Sequence, residues 1–403
     1  MKEDIKFTVI IPTRERADTL LYALQTVVAQ DYENLEIIVS DNFSQDNTKA
    51  VVESFTDSRI KYINTGRRLS MSHNWEFALD HVRDGWVTFV GDDDGLLPGA
   101  LAKVAEVIHA TNCKAVSSEL CAFAWPGVWS HNTGFIVPLG RGYEIRETKK
   151  WLGKVLRGET RYQKLPWVYM GGFVDISAIN AARKNGVFFL SSIPDVYSSI
   201  ALSLTLSEYV YLKEPVVIAG ASAHSTGASY FQANSNDSSV KKFFSEENIP
   251  FHSAVKNMKG VRSLALCIYE PYLQAAHLHN DHIKTRLEDQ ICIVLAQVYS
   301  DHYNDVEKYC CELALQHQLP FSKIKSKARV KKIKYIARST GEYVYQFFRN
   351  IDLLPQQFGV KNIYDAAFVA KAVYLLESGS FRWRRHKISR IPQTFLRFWS
   401  RIR

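Results

Sequence analysis

The chain has 403 residues and a formal net charge of +9, and its 46% hydrophobic and 12% aromatic content excludes a disordered chain and predicts two domains. The first apolar run stops at Pro12, too early for a signal peptide, and no apolar run approaches the length of a transmembrane helix. The six cysteines have no CxxC spacing, which indicates core thiols in a reducing cytoplasm.

Apolar runs and amphipathic stretches alternate through the first 123 residues. The runs rich in β-branched residues predict buried strands at 7–11, 35–39, 59–63, 86–90 and 114–123. Between them, capping residues and apolar spacing predict helices from Asp18, at 47–55, at 72–82 and at 98–110. This alternation predicts an α/β fold with an open, mostly parallel sheet flanked by helices.

The pattern changes after residue 123. Glycine and proline interrupt residues 124–166, which predicts a long functional loop or an excursion. Strand character returns at 169–174 and 215–219, with helices predicted at 177–184 and after Pro194. Beyond the polar segment 233–239, the sequence predicts a mainly helical region, with helices at 263–277, 281–299, 306–317 and 366–376.

Positive charge is concentrated in the C-terminal part. Residues 323–338 and residues 381–403 each hold eight basic residues and no acidic one, so the rest of the chain is mildly acidic. In the second segment Phe395, Phe398 and Trp399 share a helical face among arginines, which suits an anionic membrane surface as a partner. A docked terminal helix or a solvated tail is the alternative, and nucleic acid is not expected because no binding module accompanies the charge.

Three consecutive carboxylates, Asp92, Asp93 and Asp94, follow the buried run at 86–90. Three such charges repel one another unless they face water or hold a cation. Hard oxygen ligands suit Mg²⁺ or Mn²⁺, which complete their shell with water and substrate phosphates. The motif therefore indicates either a divalent metal holding a diphosphate or a solvated acidic turn. Thr13 and Asp41 also follow strand ends, so they are expected to converge with it on one crevice.

Four segments in the same order resemble family 2 glycosyltransferases, the inverting GT-A type, over roughly residues 5–225. They are FTVIIPTR from Phe7, IIVSDNFSQDNT from Ile37, GDDD from Gly91 with LPGAL from Leu97, and Pro194-Asp195 with the helix after it. The segment from Phe7 resembles the family's opening strand, and the segment from Ile37 resembles its aspartate-containing second segment. The segment from Gly91 resembles its DXD element. The last is similar to its acceptor-side ED motif, with Pro194 in place of the glutamate.

The resemblance implies a GT-A domain over residues 1–235, with a nucleotide-sugar half at 1–123 and an acceptor half at 124–235, before a helical, basic region at 236–403. The implied activity is transfer of a sugar, with inversion, from a UDP-linked nucleotide-sugar donor to a glycan or lipid-linked acceptor. The implied setting is bacterial surface polysaccharide biosynthesis in the cytoplasm, peripheral at the inner face of the membrane.

On the donor side, the family resemblance assigns Asp41 to the uracil edge and Pro12, Thr13 and Glu15 to the base and ribose pocket. Ordinary turn and capping roles are the alternatives. Arg68 is a candidate contact for phosphate, although an exposed arginine is usually only solvated.

The resemblance also assigns the metal and the base. Asp93 would bind the divalent metal, with Asp92 beside it on ribose or metal and Asp94 in support, and Gly91 stands where the family often has a first carboxylate. His224, after the last predicted strand, is a candidate metal or diphosphate contact. Asp195 matches the catalytic base, with a helix cap as the structural alternative.

Two other function classes remain open at the level of sequence. A nucleotidyltransferase has a related sheet, but it needs a phosphate-binding loop rich in Gly, Lys or Arg after the first strand, and residues 13–16 contain no glycine. A non-catalytic glycan-binding or scaffold protein would not need Asp93 and Asp195.

Overall fold

The computed structural model describes residues 5–128, 134–223, 248–258, 260–279, 285–298 and 300–378. Within them, one sheet is built from strands β1 to β11, which are Phe7–Thr13, Leu35–Asp41, Ile60–Asn64, Trp86–Phe89, Gly95–Leu96, Ala115–Ala124, Phe135–Pro138, Tyr143–Glu147, Gly172–Asp175, Glu208–Ala221 and Asn350–Leu353. Helices α1 to α12 are Ala17–Val28, Thr48–Glu53, Met71–Leu79, Ala100–Thr111, Thr148–Leu156, Ile176–Ala182, Pro194–Thr205, Leu264–Gln274, Leu287–Gln297, Tyr303–Gln316, Phe321–Arg349 and Ile363–Glu377.

The sheet is mixed, with a parallel centre. Its main path runs β11-β7-β6-β9-β4-β1-β2-β3, and β10 pairs with β5, β6 and β8 off that path. Strands β4, β1, β2 and β3 are parallel neighbours, whereas β9 runs antiparallel to both β4 and β6. The carboxyl ends of the parallel strands therefore meet at one edge of the sheet.

Helices cover both faces of the sheet. Along β1, Val9 and Ile11 join one buried cluster and Ile10 joins another, because successive side chains of a strand point to opposite faces. The first cluster includes α1 and α4, and the second includes α3, α5, α6 and α7. Burial on both faces explains the unbroken apolar runs in the sequence, and it confirms the predicted α/β fold class.

The stretch predicted as a loop or excursion, residues 124–166, contains the regular elements β7, β8 and α5. The prediction of a long loop is therefore wrong where these elements lie. Its strands are short and lie against distant partners, since β7 pairs with β11 and β8 pairs with β10. Such pairings depend on tertiary contacts that local periodicity does not reveal.

The C-terminal region is mainly helical, as predicted. Helices α8, α9 and α10 belong to the same buried cluster as α7, and α12 packs against α1 and the strands β7 and β10. Helix α11, with 29 residues, was not predicted as a helix. In the part of the chain that the structure describes, no helix combines the length and the apolar character that crossing a bilayer requires.

Candidate active site

Three strand ends bring the predicted donor-side residues together. Thr13 ends β1 and is paired in register with Asp41 at the end of β2. Asp92 follows β4, the other neighbour of β1, and the Thr13 hydroxyl donates a hydrogen bond to its Oδ2 at 2.8 Å. The predicted convergence on one edge of the sheet is therefore observed.

Asp92 is buried and paired with an arginine that the sequence analysis did not single out. Arg16 Nη1 lies 2.8 Å from Asp92 Oδ1. Burial acts to lower the pKa of Arg16, but the Asp92 and Asp93 carboxylates outweigh it and raise that pKa above its ordinary value. The guanidinium thus stays charged and offsets much of the repulsion among the three carboxylates.

Strand β10 contacts the acidic turn, which is formed by Asp92, Asp93 and Asp94. Because β5 pairs antiparallel with β10, Gly220 and Ser222 lie next to these carboxylates. The Ser222 hydroxyl donates to Asp93 Oδ2 at 2.6 Å, and the Gly220 N–H donates to Asp94 Oδ1 at 2.7 Å. A Cβ at position 220 would lie 1.8 Å from the Asp93 carbonyl oxygen, so only glycine fits there.

Asp94 accepts hydrogen bonds on both of its carboxylate oxygens. Its Oδ2 accepts from the Tyr169 hydroxyl at 2.9 Å and from the Gly91 N–H at 3.1 Å, in addition to the Gly220 bond on Oδ1. Burial and the neighbouring charge of Asp93 raise the pKa of Asp94 to about 8. Asp94 therefore holds the turn together.

Gly91 is required by this packing. A Cβ at position 91 would lie 2.5 Å from Asp94 Oδ2 and 2.7 Å from the Tyr169 hydroxyl oxygen. A carboxylate side chain therefore has no room where Gly91 stands.

Asp41 is buried at the end of β2 within a set of donors. Its Oδ2 accepts from the Tyr62 hydroxyl at 2.6 Å and from Asn64 Nδ2 at 2.9 Å, and its Oδ1 accepts from the Ser44 N–H at 2.9 Å. Burial and the bond to Asp41 raise the pKa of Tyr62 to about 12. These three donors fix the orientation of the Asp41 carboxylate.

The loop after β1 places the remaining donor-side candidates. Pro12 is half-buried within β1, and Glu15 follows with a positive φ of 55°. Glu15 Oε1 accepts from the Gln45 N–H at 3.2 Å and lies 3.3 Å from Arg68 Nη2. Glu15 and Arg68 are both exposed and face the loop that follows Asp41.

Asp195 lies in the first turn of α7, one residue after Pro194. It is half-buried, and its Oδ2 accepts from the Tyr162 hydroxyl at 2.8 Å. Burial raises the pKa of Asp195, and the Tyr162 hydrogen bond acts against that rise. The side chain therefore combines partial exposure with an elevated pKa, which are properties that a general base requires.

A row of aromatic rings connects Asp195 with the acidic turn. Tyr162 packs edge-on against Trp167 at 5.7 Å between ring centroids, and Trp167 packs likewise against Tyr169 at 5.8 Å. Tyr169 in turn donates to Asp94. Burial raises the pKa of Tyr169, and the charges of Asp94, Asp93 and Asp195 all add to that rise, so the two acidic groups share one environment.

The side chains missed by sequence analysis lie far from their partners along the chain. Tyr162 and Tyr169 fall in or near a stretch predicted as irregular, and Arg16 lies 76 residues from Asp92. The signal for Arg16 was its place in a polar loop directly after a buried strand. Two tryptophans lie near the same carboxylates, since Trp125 Nε1 donates to the Asp93 carbonyl at 3.0 Å and the buried Trp167 packs against Tyr169.

Two predicted functional features lie outside the described residues. They are His224, a candidate metal contact, and the basic segment 381–403, a candidate membrane contact. Within the described ranges, no cluster of three or more His, Cys, Asp or Glu side chains is arranged to hold a metal ion.

The sequence matches the family described as Glycosyl transferase family 2 over residues 8–157. Asp195 lies beyond this match. A Campylobacter jejuni protein, GalNAc(5)-diNAcBac-PP-undecaprenol beta-1,3-glucosyltransferase, is 41% identical over 25% of this chain and 34% of its own length. Escherichia coli WfgD, a UDP-Glc:alpha-D-GlcNAc-diphosphoundecaprenol beta-1,3-glucosyltransferase, is 29% identical over 23% of this chain and 36% of its own.

The chain thus spans about a third of the length of these curated relatives. Among solved structures, S. aureus TarS 1-349 in complex with UDP is similar at a TM-score of 0.45 and 16% identity, covering 85% of this chain and 92% of that one. The sequence match and the α/β architecture agree on the domain. Residues 8–157 are therefore similar to glycosyl transferase family 2, and within the described residues they belong to a mixed α/β sheet flanked by helices, which a mainly helical C-terminal region follows.

Proposed function

We propose that this protein is an inverting glycosyltransferase that moves a sugar from a UDP-linked donor to a lipid-linked glycan acceptor. The observation that carries the proposal is that Asp41, Asp92 and Asp93 gather at one sheet edge, with Asp195 joined to them through Tyr162, Trp167, Tyr169 and Asp94. The sheet edge with Asp41, Asp92 and Asp93 suits a nucleoside diphosphate, and Asp195 offers a base at the other end of this series of contacts.

The donor would lie across the ends of β1 and β2. Asp41 would accept a hydrogen bond from the uracil edge, and its three protein donors would orient it for that contact. Pro12, Thr13 and Glu15 would line the base and ribose pocket. Arg68, placed by Glu15, would reach the phosphates.

The divalent ion, Mn²⁺ or Mg²⁺, would be held by Asp93. The donor set suits such an ion, because Asp93 offers hard carboxylate oxygens next to the carboxylates of Asp92 and Asp94. One carboxylate suits a metal whose other ligands are diphosphate oxygens and water, with His224 as a further candidate. When bound, the metal neutralises negative charge on the leaving diphosphate.

Asp195 would act as the base. Its carboxylate would take the proton of the acceptor hydroxyl as that oxygen forms a bond to the anomeric carbon. The bond from this carbon to the diphosphate oxygen breaks on the opposite face, and its electron pair leaves with UDP. A single displacement of this kind inverts the anomeric centre. The Tyr162 hydroxyl, which donates to Oδ2, would help to orient the carboxylate.

The acceptor class is supported by two relatives, whose names specify diphosphoundecaprenol-type or PP-undecaprenol-linked glycans. One of those names also specifies UDP-Glc. A role in bacterial surface polysaccharide biosynthesis would follow. Six cysteines, all unpaired, suit a cytoplasmic location.

We retain 1–235 and 236–403 as the proposed division of the chain, with its donor half at 1–123 and acceptor half at 124–235. The helical region would support the acceptor side, because Glu270 of α8 accepts a hydrogen bond from Ser191 Oγ at 2.6 Å, four residues before Asp195. The Cys267 thiol on the same helix has its pKa raised mainly by burial and also by Asp195.

The test measures nucleotide release and transfer across a panel of nucleotide sugars with Mn²⁺, Mg²⁺ or EDTA. We expect metal-dependent UDP release from one donor, at least about a hundredfold lower in Asp93→Ala. Asp195→Asn should bind the donor normally and lose about 10²- to 10⁴-fold in transfer. The matched control is Asp84→Asn, an exposed carboxylate before β4 at the opposite end of the strand.

Failure to bind any nucleotide sugar under any metal condition would overturn the proposal in favour of a scaffold. Release of pyrophosphate from a nucleoside triphosphate and a sugar phosphate would instead identify a nucleotidyltransferase.

A further inference from the structure

Helix α11 has one long side that nothing in the described chain covers. Only Ile324 and Ala328 of its 29 residues are fully buried, and it packs mainly against α9. Two ion pairs, Lys325 with Glu307 and Lys327 with Glu288, hold its first half in place. The opposite side is exposed along the whole helix.

The exposed side carries large apolar residues at helical spacing. Val330 is 58% exposed, Ile333 is 69% exposed, and Tyr345 and Phe348 are each 58% exposed. Val330 and Ile333 are three residues apart, as are Tyr345 and Phe348, and the step of 18 residues from Val330 to Phe348 makes about five full turns, so these side chains share one face. We call this surface, Val330, Ile333, Val344, Tyr345 and Phe348 with Lys323 and Lys334 among them, the α11 face.

The charged residues of helix α11 are almost all basic. Residues 321–349 contain nine basic residues and one acidic residue, Glu342. Lys323 and Lys334 are exposed on the α11 face itself. The first half of the helix is therefore basic, and the second half is aromatic.

We propose that the α11 face docks on an anionic lipid surface. Apolar side chains that are exposed among lysines are the features that hold a helix in the interface plane, since the rings enter the acyl boundary while the ammonium groups remain with lipid phosphates. This proposal does not depend on the catalytic one, because lipid binding needs neither donor nor acceptor.

Charge argues against the other occupants of the α11 face. A second copy of the chain would bring the same basic helix, and the segment 381–403 holds eight basic residues and no acidic one. Either would oppose like charges across an apolar contact, whereas an anionic leaflet neutralises them.

The end of α12 extends the surface. The Arg349 carbonyl accepts from the Leu139 N–H at 3.0 Å, and the Gly140 carbonyl accepts from the Tyr374 hydroxyl at 2.9 Å, so both helix ends flank residues 139–140. Leu375 and Leu376, 63% and 80% exposed, follow Tyr374 directly. Phe348 therefore lies at the same end of the domain as a second exposed apolar pair.

The experiment is co-sedimentation of the full chain with vesicles of phosphatidylcholine alone or mixed with phosphatidylglycerol. We expect binding to the anionic vesicles only, weakening as salt is added. Ile333→Ser and Phe348→Ser should each weaken binding about tenfold, and Lys323→Gln and Lys334→Gln about fivefold each. All four residues are exposed, so the variants should fold, which circular dichroism would check.

Leu315→Ser on α10 and Lys61→Gln on β3 are the matched controls, because both residues are exposed and lie off the α11 face. The controls should bind as wild type. Equal binding to neutral and anionic vesicles, or α11 variants that bind as wild type, would overturn the proposal. So would a dimer in analytical ultracentrifugation that Ile333→Ser abolishes.

Discussion

At the scale of single residues, the pKa of Asp195, the proposed base, depends in part on one hydroxyl group. Burial raises the pKa of its carboxyl, and the Tyr162 hydroxyl lowers it by donating to the charged form. A base works only when deprotonated, so transfer activity should fall as the pH drops through this pKa. The neighbour that lowers the pKa therefore widens the active pH range on the acid side.

Tyr162→Phe tests this relation directly. Removing the donor should raise the pKa of Asp195, so the acid limb of the kcat/KM profile should move to higher pH. The measurement is that profile from pH 4 to 9, with Tyr143→Phe, an exposed tyrosine on β8, as the control. A lower rate with an unchanged profile would mean that Tyr162 has only a packing role.

Single residues also mark the limit of what the sequence predicts. Thr13, Asp41 and Asp92 were predictable as neighbours because each follows a strand, and parallel strands end together. Arg16 and Tyr162 were not, because each meets its carboxylate through a contact between segments distant in sequence. Whether these residues bind donor and acceptor stays a prediction.

At the scale of the element, the turn between β4 and β5 depends on the absence of a side chain at position 91. Gly91→Ala would put a methyl group 2.5 Å from Asp94 Oδ2. We expect a loss of about 1–3 kcal/mol in the free energy of unfolding, as overpacking typically costs, together with weaker donor binding. Urea unfolding and donor titration would measure both.

Gly341→Ala is the matched control for that substitution. Position 341 lies within α11, and a Cβ there would meet nothing within 4 Å. Alanine should therefore stabilise the helix by about 0.5–1 kcal/mol. Equal effects at both positions would contradict the steric account of the turn.

Elements were predictable where one local pattern decides them. The strands before residue 124 are buried on both faces and appear as apolar runs, so five of them lie close to their predicted positions. Strands β7 and β8 were missed because they are short and depend on β11 and β10 for pairing. Helix α11 was missed because its apolar positions are interspersed with nine basic residues, so its charge dominates the sequence pattern.

At the scale of the whole molecule, one buried carboxylate joins the helical region to the sheet domain. Glu270 is fully buried, and it accepts from Ser191 Oγ, Gln274 Nε2 and the His252 N–H. Burial raises its pKa while these bonds oppose the rise. The junction is stable only while the donors remain in place.

Ser191→Ala should therefore cost about 1–3 kcal/mol in the free energy of unfolding, because Glu270 loses a donor that water cannot replace. Ser326→Ala on the exposed side of α11 should change it by less than about 0.5 kcal/mol. Denaturant unfolding measures both. A Ser191→Ala protein as stable as wild type would show that the junction is held by apolar packing alone.

Strand β10 has a consequence for how such a protein can evolve. Its 14 residues pair with β8 near one end and with β5 near the other, and they run beside β6 along the way. A chimera joined at residues 123 and 124 would keep β5 and β6 from one parent and take β10 from another. The register of β10 would then have to match strands from both parents. New specificities should therefore arise by replacing loops within one lineage rather than by exchanging halves of the domain.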